Sequence, residues 1–473
     1  MSVIVAKISE REESGVFTFL PLLLIAVFFG LSFIPRIQQN ESLLYTFWSI
    51  SALFILFYVL MLFGISLKKI NPTIKIAIIP SHYVQAIVQF GVYSYWGWVI
   101  TQVYEQMPLI FAQIIYLYIF SALLSWFRGK EWNLGFGIFP IVFSTNLFLW
   151  FKDDVFFLQF AMITAGALAK EFITWNKDGR KAHIFNPSAF GLSVASLFLI
   201  LTSNTDISWG KAIAETITYP EHIYLWIFLL GLVVQYFFKV TLVTLSAAVT
   251  LFVSALIYHK TTGIYFFITS DVPVAVFLGL HLLVTDPSTS PRTYLGRIMF
   301  GVLYGASVML LFNVLGNFGA PTFYDKLLAI PLLNLSIKFL DRIAKSVNLA
   351  WLWPRALHFN PTGNRLNLIH MGIWIVFFSS IFLTHTLGGD HPGRSPIFWQ
   401  QACEKNLHNG CYNLHYLVSK ECDKGQALMC AKQAWMIKNS MGVENDEKKL
   451  YEVATRACEL GHDELCGRLE RGI

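Results

Sequence analysis

The chain has 473 residues, of which 55% are hydrophobic and only 14% are charged, and its net charge is +6. So few charges cannot solvate the surface of a soluble protein this apolar, which excludes a disordered chain, a fibre, a nucleic-acid-binding protein and an ordinary cytosolic enzyme. We therefore expect an all-α polytopic membrane protein that lies in the lipid bilayer and has no nucleic acid as a partner.

Apolar runs recur along most of the chain. A helix needs roughly 17–25 apolar residues to cross about 30 Å of hydrocarbon, and 13 runs of about this length lie at 15–35, 43–66, 76–101, 107–127, 134–151, 155–175, 187–202, 222–238, 240–258, 264–285, 298–315, 321–340 and 367–386. The runs at 187–202 and 240–258 are short or closely coupled, so one of them is alternatively a half-helix or a hairpin. The sequence thus predicts a bundle of about 13 transmembrane helices, to within one.

The basic residues between these runs predict the orientation. If the N-terminus is cytoplasmic, 16 Lys and Arg residues fall in cytoplasmic loops, among them Lys68, Lys69 and Arg355, and only 4 fall in outer loops. Cytoplasmic loops of membrane proteins carry such an excess of Lys and Arg. We expect a multi-pass protein of the bacterial inner (plasma) membrane with a cytoplasmic N-terminus and everything after about residue 387 in the periplasm.

All six cysteines lie in the final 71 residues, in three pairs spaced i, i+8. The pairs are Cys403 with Cys411, Cys422 with Cys430, and Cys458 with Cys466. A turn separates the members of each pair, and an αα-hairpin brings such positions together, so the spacing predicts three disulfides and an oxidising compartment. The alternative is a metal site that also uses His408, His415 and His462; it is disfavoured because zinc sites prefer closer cysteine spacing.

The tail repeats itself, since Cys458 follows Cys422 by 36 residues, a period typical of stacked helix pairs. It resembles the cysteine-rich Sel-type, tetratricopeptide-like repeats. That resemblance implies a small α-helical-repeat domain in the periplasm that binds another protein. The alternative is a soluble cap without a partner.

Several polar residues stand on apolar runs. His82, His281 and His370 are either core histidines or, as a pair, haem ligands, and no spacing selects such a pair. Asp271 precedes Val272 and Pro273. It is either a functional ionisable group at membrane depth or a residue of the outer interface.

Two cytoplasmic loops carry more polar and turn-forming residues than hydropathy requires. The first contains Phe185, Asn186 and Pro187 at a helix start, and the second contains Asp286, Ser290, Arg292, Thr293, Gly296 and Arg297. Turn-forming hydroxyl and carboxylate side chains at a helix start leave backbone N–H groups for a ligand, and two arginines add positive charge. Such a site suits phosphate or the polar edge of a flavin; the alternative is a rigid loop that only caps helices.

At these residues the sequence resembles a known family. Phe185 to Leu192 resembles its FNPA signature, and Asp286 to Gly301 follows its TDP-x-TSP-x-T-x-x-GR-x-x-FG signature almost residue for residue. The family comprises the flavin-carrying membrane subunits of the ion-pumping Rnf complex (its D subunit) and of the sodium-translocating NADH:quinone reductase (its B subunit).

The resemblance covers roughly residues 120–345. Asn334 and Asp341 keep the spacing of an Asn and an Asp in the family's next helix, while Lys338 stands where the family often has Pro. The expected domains are N-terminal transmembrane helices at 1–119, the family-like core at 120–345, a cytoplasmic loop and the last transmembrane helix at 346–386, and the periplasmic tail at 387–473.

One departure concerns the flavin. The family commonly carries FMN esterified to a Thr in an S-[GA]-A-T-like motif, and the corresponding segment here has Thr205, Thr216 and Thr218 without that motif. The resemblance therefore implies a site for a non-covalent flavin, FMN or riboflavin, made by the two loops.

These observations together predict a membrane electron-transfer subunit that handles a non-covalent flavin or a quinone. Because the chain has no nucleotide fingerprint and no cluster-ligating cysteines, we expect it to be at most one subunit of a membrane redox complex, with other subunits as partners. Two alternatives remain open: a transporter or channel for a small polar solute on the same scaffold, or an assembly protein that acts through its periplasmic tail.

Overall fold

The computed structural model describes residues 4–6, 18–67, 72–177, 179–218, 222–346, 363–388 and 391–469. The chain divides into two compact units: unit 1 comprises residues 1–250 and 274–376, and unit 2 comprises residues 251–273 and 377–473. The basic residues Lys68, Lys69 and Arg355, and most of the loop predicted to precede the last span, lie outside the described residues.

Helices make up most of the described chain, as the all-α prediction requires. The helices before residue 347 are α1 (Leu20–Leu31), α2 (Pro35–Gln38), α3 (Glu41–Ser66), α4 (Pro80–Val99), α5 (Gln102–Glu105), α6 (Met107–Phe127), α7 (Phe139–Asn146), α8 (Phe157–Phe172), α9 (Pro187–Leu201), α10 (Gly210–Thr216), α11 (Ile223–Phe238), α12 (Thr241–Thr262), α13 (Val274–Leu282), α14 (Tyr294–Asn317) and α15 (Asp325–Ser346). The helix α16 (Gly363–Leu383) precedes the tail.

Two small sheets accompany these helices. Strands β1 (Ile4–Ala6), β2 (Ile74–Ile78) and β3 (Trp132–Leu134) form one sheet, with β1 antiparallel and β3 parallel to β2. Strands β4 (Thr174–Lys177) and β5 (Arg180–His183) form an antiparallel hairpin. The hairpin leads from α8 to the first signature loop.

Five described helical segments are long and apolar enough to cross a membrane: α3, Gln102–Phe127, α12, α14 and Asn364–Leu383. The described helices do not support a count of 13 spans, because several predicted runs contain only short helices. The runs 134–151 and 264–285 contain α7, with 8 residues, and α13, with 9 residues. Hydropathy averaged over a window does not reveal that such a run is broken by irregular backbone.

The helices before residue 347 show an internal repetition that is not evident from the sequence. The helices α4, α6, α7, α8 and α9 form one set, and α11 to α15 form a second set in which the third helix is again short. In each set the first helix packs on the third and the fourth packs on the fifth. The two first helices pack on each other, as do the two fifth helices. Both signature loops lie within this repeated arrangement.

Side chains complete the hydrogen bonding where the short helices end. Near the end of α13, Thr244 Oγ1 donates to the carbonyl of Leu280 at 3.2 Å and Gln85 Nε2 donates to the carbonyl of Leu282 at 3.3 Å. At the end of α7, Asn146 Nδ2 donates to the carbonyl of Val142 at 2.8 Å. A helix that ends inside an apolar bundle needs such partners because no bulk water reaches its last carbonyls.

The fourth and fifth helices of the first set pack with their backbones in contact. A Cβ placed on Gly166 would lie 2.4 Å from the carbonyl oxygen of Pro187, and one on Gly191 would lie 2.5 Å from that of Met162. Only glycine fits at both positions. Such close backbone approach is typical of helices that pack through small residues.

The tail in unit 2 is a series of short helices stapled at their corners. It contains α17 (Pro396–Glu404), α18 (Gly410–Asp423), α19 (Ala427–Lys438), α20 (Glu447–Glu459) and α21 (Asp463–Leu469). The three predicted cysteine pairs are confirmed, with Cα–Cα distances of 4.4, 4.5 and 4.9 Å. Each disulfide joins the end of one helix to the first turns of the next.

Candidate functional site

The first signature loop is held by Asn186. Its Oδ1 accepts a hydrogen bond from the backbone N–H of Ala189 at 3.1 Å, which caps α9, and Pro187 occupies the first helical position. Asn before a helix and Pro at its first residue are both favourable starts. The same side chain donates through Nδ2 to the carbonyl of Leu283 at 2.9 Å. The cap of α9 thereby connects directly to the segment before the second loop.

The second loop is organised by Asp286. Its carboxylate accepts from the backbone N–H of Ser288 at 2.9 Å and from the hydroxyl of Thr289 at 3.1 Å, and it lies 3.3 Å from His183 Nε2. Ser290 Oγ donates to the Asp286 carbonyl at 2.8 Å. Burial alone raises the pKa of this carboxyl, but the hydrogen bond and charge of His183 and the two loop donors outweigh burial and lower the pKa to about 2. Asp286 is therefore an anion that ties the loop to β5.

Asn334 on α15 joins the two loops to each other. Its Oδ1 accepts from the backbone N–H of Asn186 at 3.1 Å, and its Nδ2 donates to the carbonyl of Thr289 at 3.1 Å. The amide is almost fully buried, with 1% of its surface exposed. A buried amide with donor and acceptor both satisfied fixes the distance between the loops.

Asp341, two turns further along α15, holds the start of α14. It accepts from the backbone N–H groups of Arg292 and Thr293 at 3.0 and 3.0 Å and from the Thr293 hydroxyl at 2.7 Å. Thr293 in turn caps α14 by accepting from the Gly296 N–H at 3.1 Å. A Cβ on Gly296 would lie 2.5 Å from Thr293 Oγ1, so glycine is needed beneath this cap.

Two basic side chains add further links. Lys177, with 6% of its surface exposed, donates to the carbonyl of Ser290 at 2.9 Å. Arg297 donates through Nε to the carbonyl of Pro291 at 3.0 Å and through Nη1 to that of Lys239 at 2.7 Å. Phe185 packs its ring on Phe190, with 4.9 Å between the ring centroids. All the residues predicted for the two loops thus lie in or beside one bonded network in unit 1.

The polar groups of this network largely bond to one another. The side chains of Asp286, Thr293 and Arg297 each have partners within it, whereas Arg292 is exposed. Such an arrangement forms a rigid, pre-organised surface whose exposed edge carries positive charge. A polar or anionic ligand would lie against that edge, and the buried members would act as positioning residues.

Two contributors were not identified from the sequence. They are Lys177 and His183, which lie on the hairpin before the first loop. No local pattern distinguishes a lysine or histidine that reaches a loop more than 100 residues away, as the separations of 113 and 103 residues show.

Thr205, Thr216 and Thr218 have local structural roles. Thr205 begins a short 3₁₀ helix. Thr216 Oγ1 donates to the carbonyl of Ile213 at 3.3 Å, and Thr218 Oγ1 donates to that of Glu215 at 2.6 Å. Both hydroxyls are therefore bonded to the preceding turn of their own segment.

The histidines on apolar runs occupy different helices. His82 is near the start of α4, His281 is on α13 with Nδ1 2.8 Å from the carbonyl of Phe277, and His370 is on α16. Each has its own neighbours. Within the described residues no group of three or more His, Cys, Asp and Glu side chains is arranged to hold a metal, and no cysteine is free.

Asp271 belongs to unit 2. It is 7% exposed, its carboxylate lies 3.6 Å from Nε2 of the buried His391, and its backbone N–H donates to the carbonyl of Thr386 at 3.3 Å. These contacts link Asp271 to Thr386, just before the tail, and to His391 near the start of the tail. They give Asp271 a structural role in unit 2.

No family model, no curated protein and no solved structure matches this chain.

Proposed function

We propose that this protein is a membrane electron-transfer subunit similar to the D subunit of the Rnf complex and that it binds a non-covalent flavin, or a quinone, at the two signature loops. It works as one subunit of a redox complex whose other members supply NADH oxidation or iron–sulfur chemistry. It crosses the bacterial inner membrane several times, with its N-terminus in the cytoplasm and its tail in the periplasm, where the tail binds another protein.

The observation that carries this proposal is the bonded network itself. Asn186, Asp286 and Asn334 come from three distant parts of the sequence, and all three belong to the pattern that resembles the family. Asn334 bonds the backbone N–H of Asn186 and the carbonyl of Thr289, each at 3.1 Å, and the Thr289 hydroxyl bonds the Asp286 carboxylate at 3.1 Å. Because residues of one sequence pattern are joined in one hydrogen-bonded network, we expect them to form a single site.

The charge of the site favours a polar or anionic ring system. Arg292 is exposed at its edge, and Arg297 keeps its guanidinium within the network. A flavin offers carbonyl and ring nitrogen acceptors to such donors, and FMN adds a phosphate. No ester to a threonine is needed, so denaturation releases the flavin.

The test is the flavin content of purified variants. Asp286→Ala and Asn186→Ala leave polar partners unpaired, which costs about 1–3 kcal/mol and lowers flavin affinity roughly ten- to a hundred-fold. Loss of Arg292 weakens binding in the same range. Thr216→Ala and Thr218→Ala are the matched controls and leave flavin content unchanged. The proposal would be contradicted if flavin content fell equally in the loop variants and in the threonine controls, or if it did not fall in the loop variants.

A second candidate function is favoured by the broken helices α7 and α13. Short helices at corresponding positions of two repeated sets are typical of transporters, in which they surround a substrate site near the middle of the membrane. On this view the scaffold conducts a small polar solute. Uptake of small polar solutes by proteoliposomes, with a protein free of flavin, would favour this candidate over electron transfer.

A further inference from the structure

A cavity of about 480 Å³ opens in unit 1. Its walls come from α6, the beginning of α4, the strands β2 and β3, and the end of α8. The volume falls within the range of roughly 300–1,000 Å³ typical of small-molecule sites. Neither signature loop contributes a residue to its lining, so it is a separate site.

The lining of this cavity contains more basic than acidic side chains. Lys75, His82, Arg128 and Lys170 line it, and Glu171 is its one carboxylate. Glu171 already forms ion pairs with Arg128 and with Lys130, which lies outside the lining. The carboxylate is therefore engaged and does not neutralise the two lysines.

Within the described part of the chain, the side-chain ammonium groups of Lys75 and Lys170 make no hydrogen bond and no ion pair. Asp286 and Glu171 attract Lys170 only at longer range. Lys170 and His82 converge over Gly137: a Cβ there would lie 3.7 Å from Lys170 Nζ and 3.2 Å from His82 Nδ1. Partly buried ammonium groups without a partner are costly unless an anion accompanies them.

The rest of the lining is apolar. Leu117, Phe120 and Leu124 on α6 form one wall, and Ile141 on α7 forms part of another. A ligand that fits this cavity therefore combines an anionic head with an apolar or aromatic body. Lysines bind phosphate oxygens well as point charges.

We propose that this cavity binds a phosphate ester, with its phosphate between Lys75 and Lys170 and its apolar body against α6. Two sources provide this chemistry: the headgroup of an anionic phospholipid, or a soluble phosphate ester with an aromatic body. The inference does not depend on the proposed function, since it concerns residues outside the signature loops.

The experiment uses the full-length protein purified in detergent. Native mass spectrometry compares retention of phosphatidylglycerol with that of phosphatidylcholine, and equilibrium binding compares phenyl phosphate with phenol, with inorganic phosphate as competitor. Preference for phosphatidylglycerol identifies a lipid, and preference for phenyl phosphate that inorganic phosphate weakens identifies a soluble ester. These preferences are measured on the wild-type chain and do not depend on the folding of any variant.

Three variants locate the site. Lys75→Gln and Lys170→Gln each weaken the preferred ligand about ten- to a hundred-fold. Ala167→Phe fills the cavity while keeping its charges, and it abolishes binding. Lys345→Gln, which changes an exposed lysine on α15, is the matched control and has no effect. The proposal is overturned if the wild-type chain prefers neither phosphate ligand, or if Lys345→Gln weakens binding as much as the cavity variants do.

Discussion

Asp341→Ala offers a direct test of how the second signature loop is held. The substitution removes the carboxylate that accepts hydrogen bonds from three donors. These donors are the backbone N–H groups of Arg292 and Thr293 and the Thr293 hydroxyl. The Arg292 residue is exposed, so its N–H finds water at little cost. The two Thr293 donors are partly buried, and each loses a charged acceptor worth about 1–2 kcal/mol. The loop and the first turn of α14 should therefore lose about 2–4 kcal/mol of local stability.

Hydrogen exchange measured by mass spectrometry reports this local stability. A loss of about 2–4 kcal/mol accelerates exchange of the amides at 286–297 roughly 30- to 700-fold, since each 1.4 kcal/mol is a factor of ten. Exchange in the tail should not change. Asp206→Ala, which alters an exposed aspartate in another loop, is the control. If Asp341→Ala leaves exchange at 286–297 at the wild-type rate, then the contacts of Asp341 do not hold the loop.

Three further predictions concern the rest of the chain. A membrane-impermeant maleimide should label the unreduced protein negligibly, because all six cysteines are paired, and substantial labelling would contradict the disulfides. A reporter fused after Ile473 should be active only in the periplasm, and one fused after His183 only in the cytoplasm; the reverse pattern would show that the predicted orientation is wrong. Gly191→Leu should lower the melting temperature, because a Cβ there would lie 2.5 Å from the Met162 carbonyl oxygen, and such overpacking costs about 1–3 kcal/mol; an unchanged melting temperature would refute close backbone packing of α8 and α9.

The parts of the structure that depend on local chemistry were predictable from the sequence. The spacing of Cys422 and Cys430 across a turn predicts their pairing, because a helical hairpin brings such positions together. Asn186 before Pro187 predicts a capped helix start, because the side chain, the fixed proline backbone and the helix all lie within a few residues. These predictions needed no knowledge of distant contacts.

The parts that depend on distant contacts were not predictable. Asn186 and Asn334 are separated by 148 residues and bond only because α9 and α15 pack together. The apolar runs around α7 and α13 have the hydropathy of full spans, yet the helices within them have only 8 and 9 residues, and a distant side chain, that of Gln85, bonds the carbonyl of Leu282 where α13 ends. The basic cavity likewise depends on strands, helix ends and loops that only the folded chain brings together.

The most direct test of electron transfer through a flavin is an absorbance spectrum of the detergent-purified protein, recorded before denaturation and again on the filtrate afterwards. We expect flavin absorbance in the native protein that passes completely into the filtrate once the chain is unfolded, because the signature loops hold the flavin without an ester. A native protein without flavin absorbance would contradict the flavin site, and flavin that stays with the denatured polypeptide would contradict its non-covalent attachment.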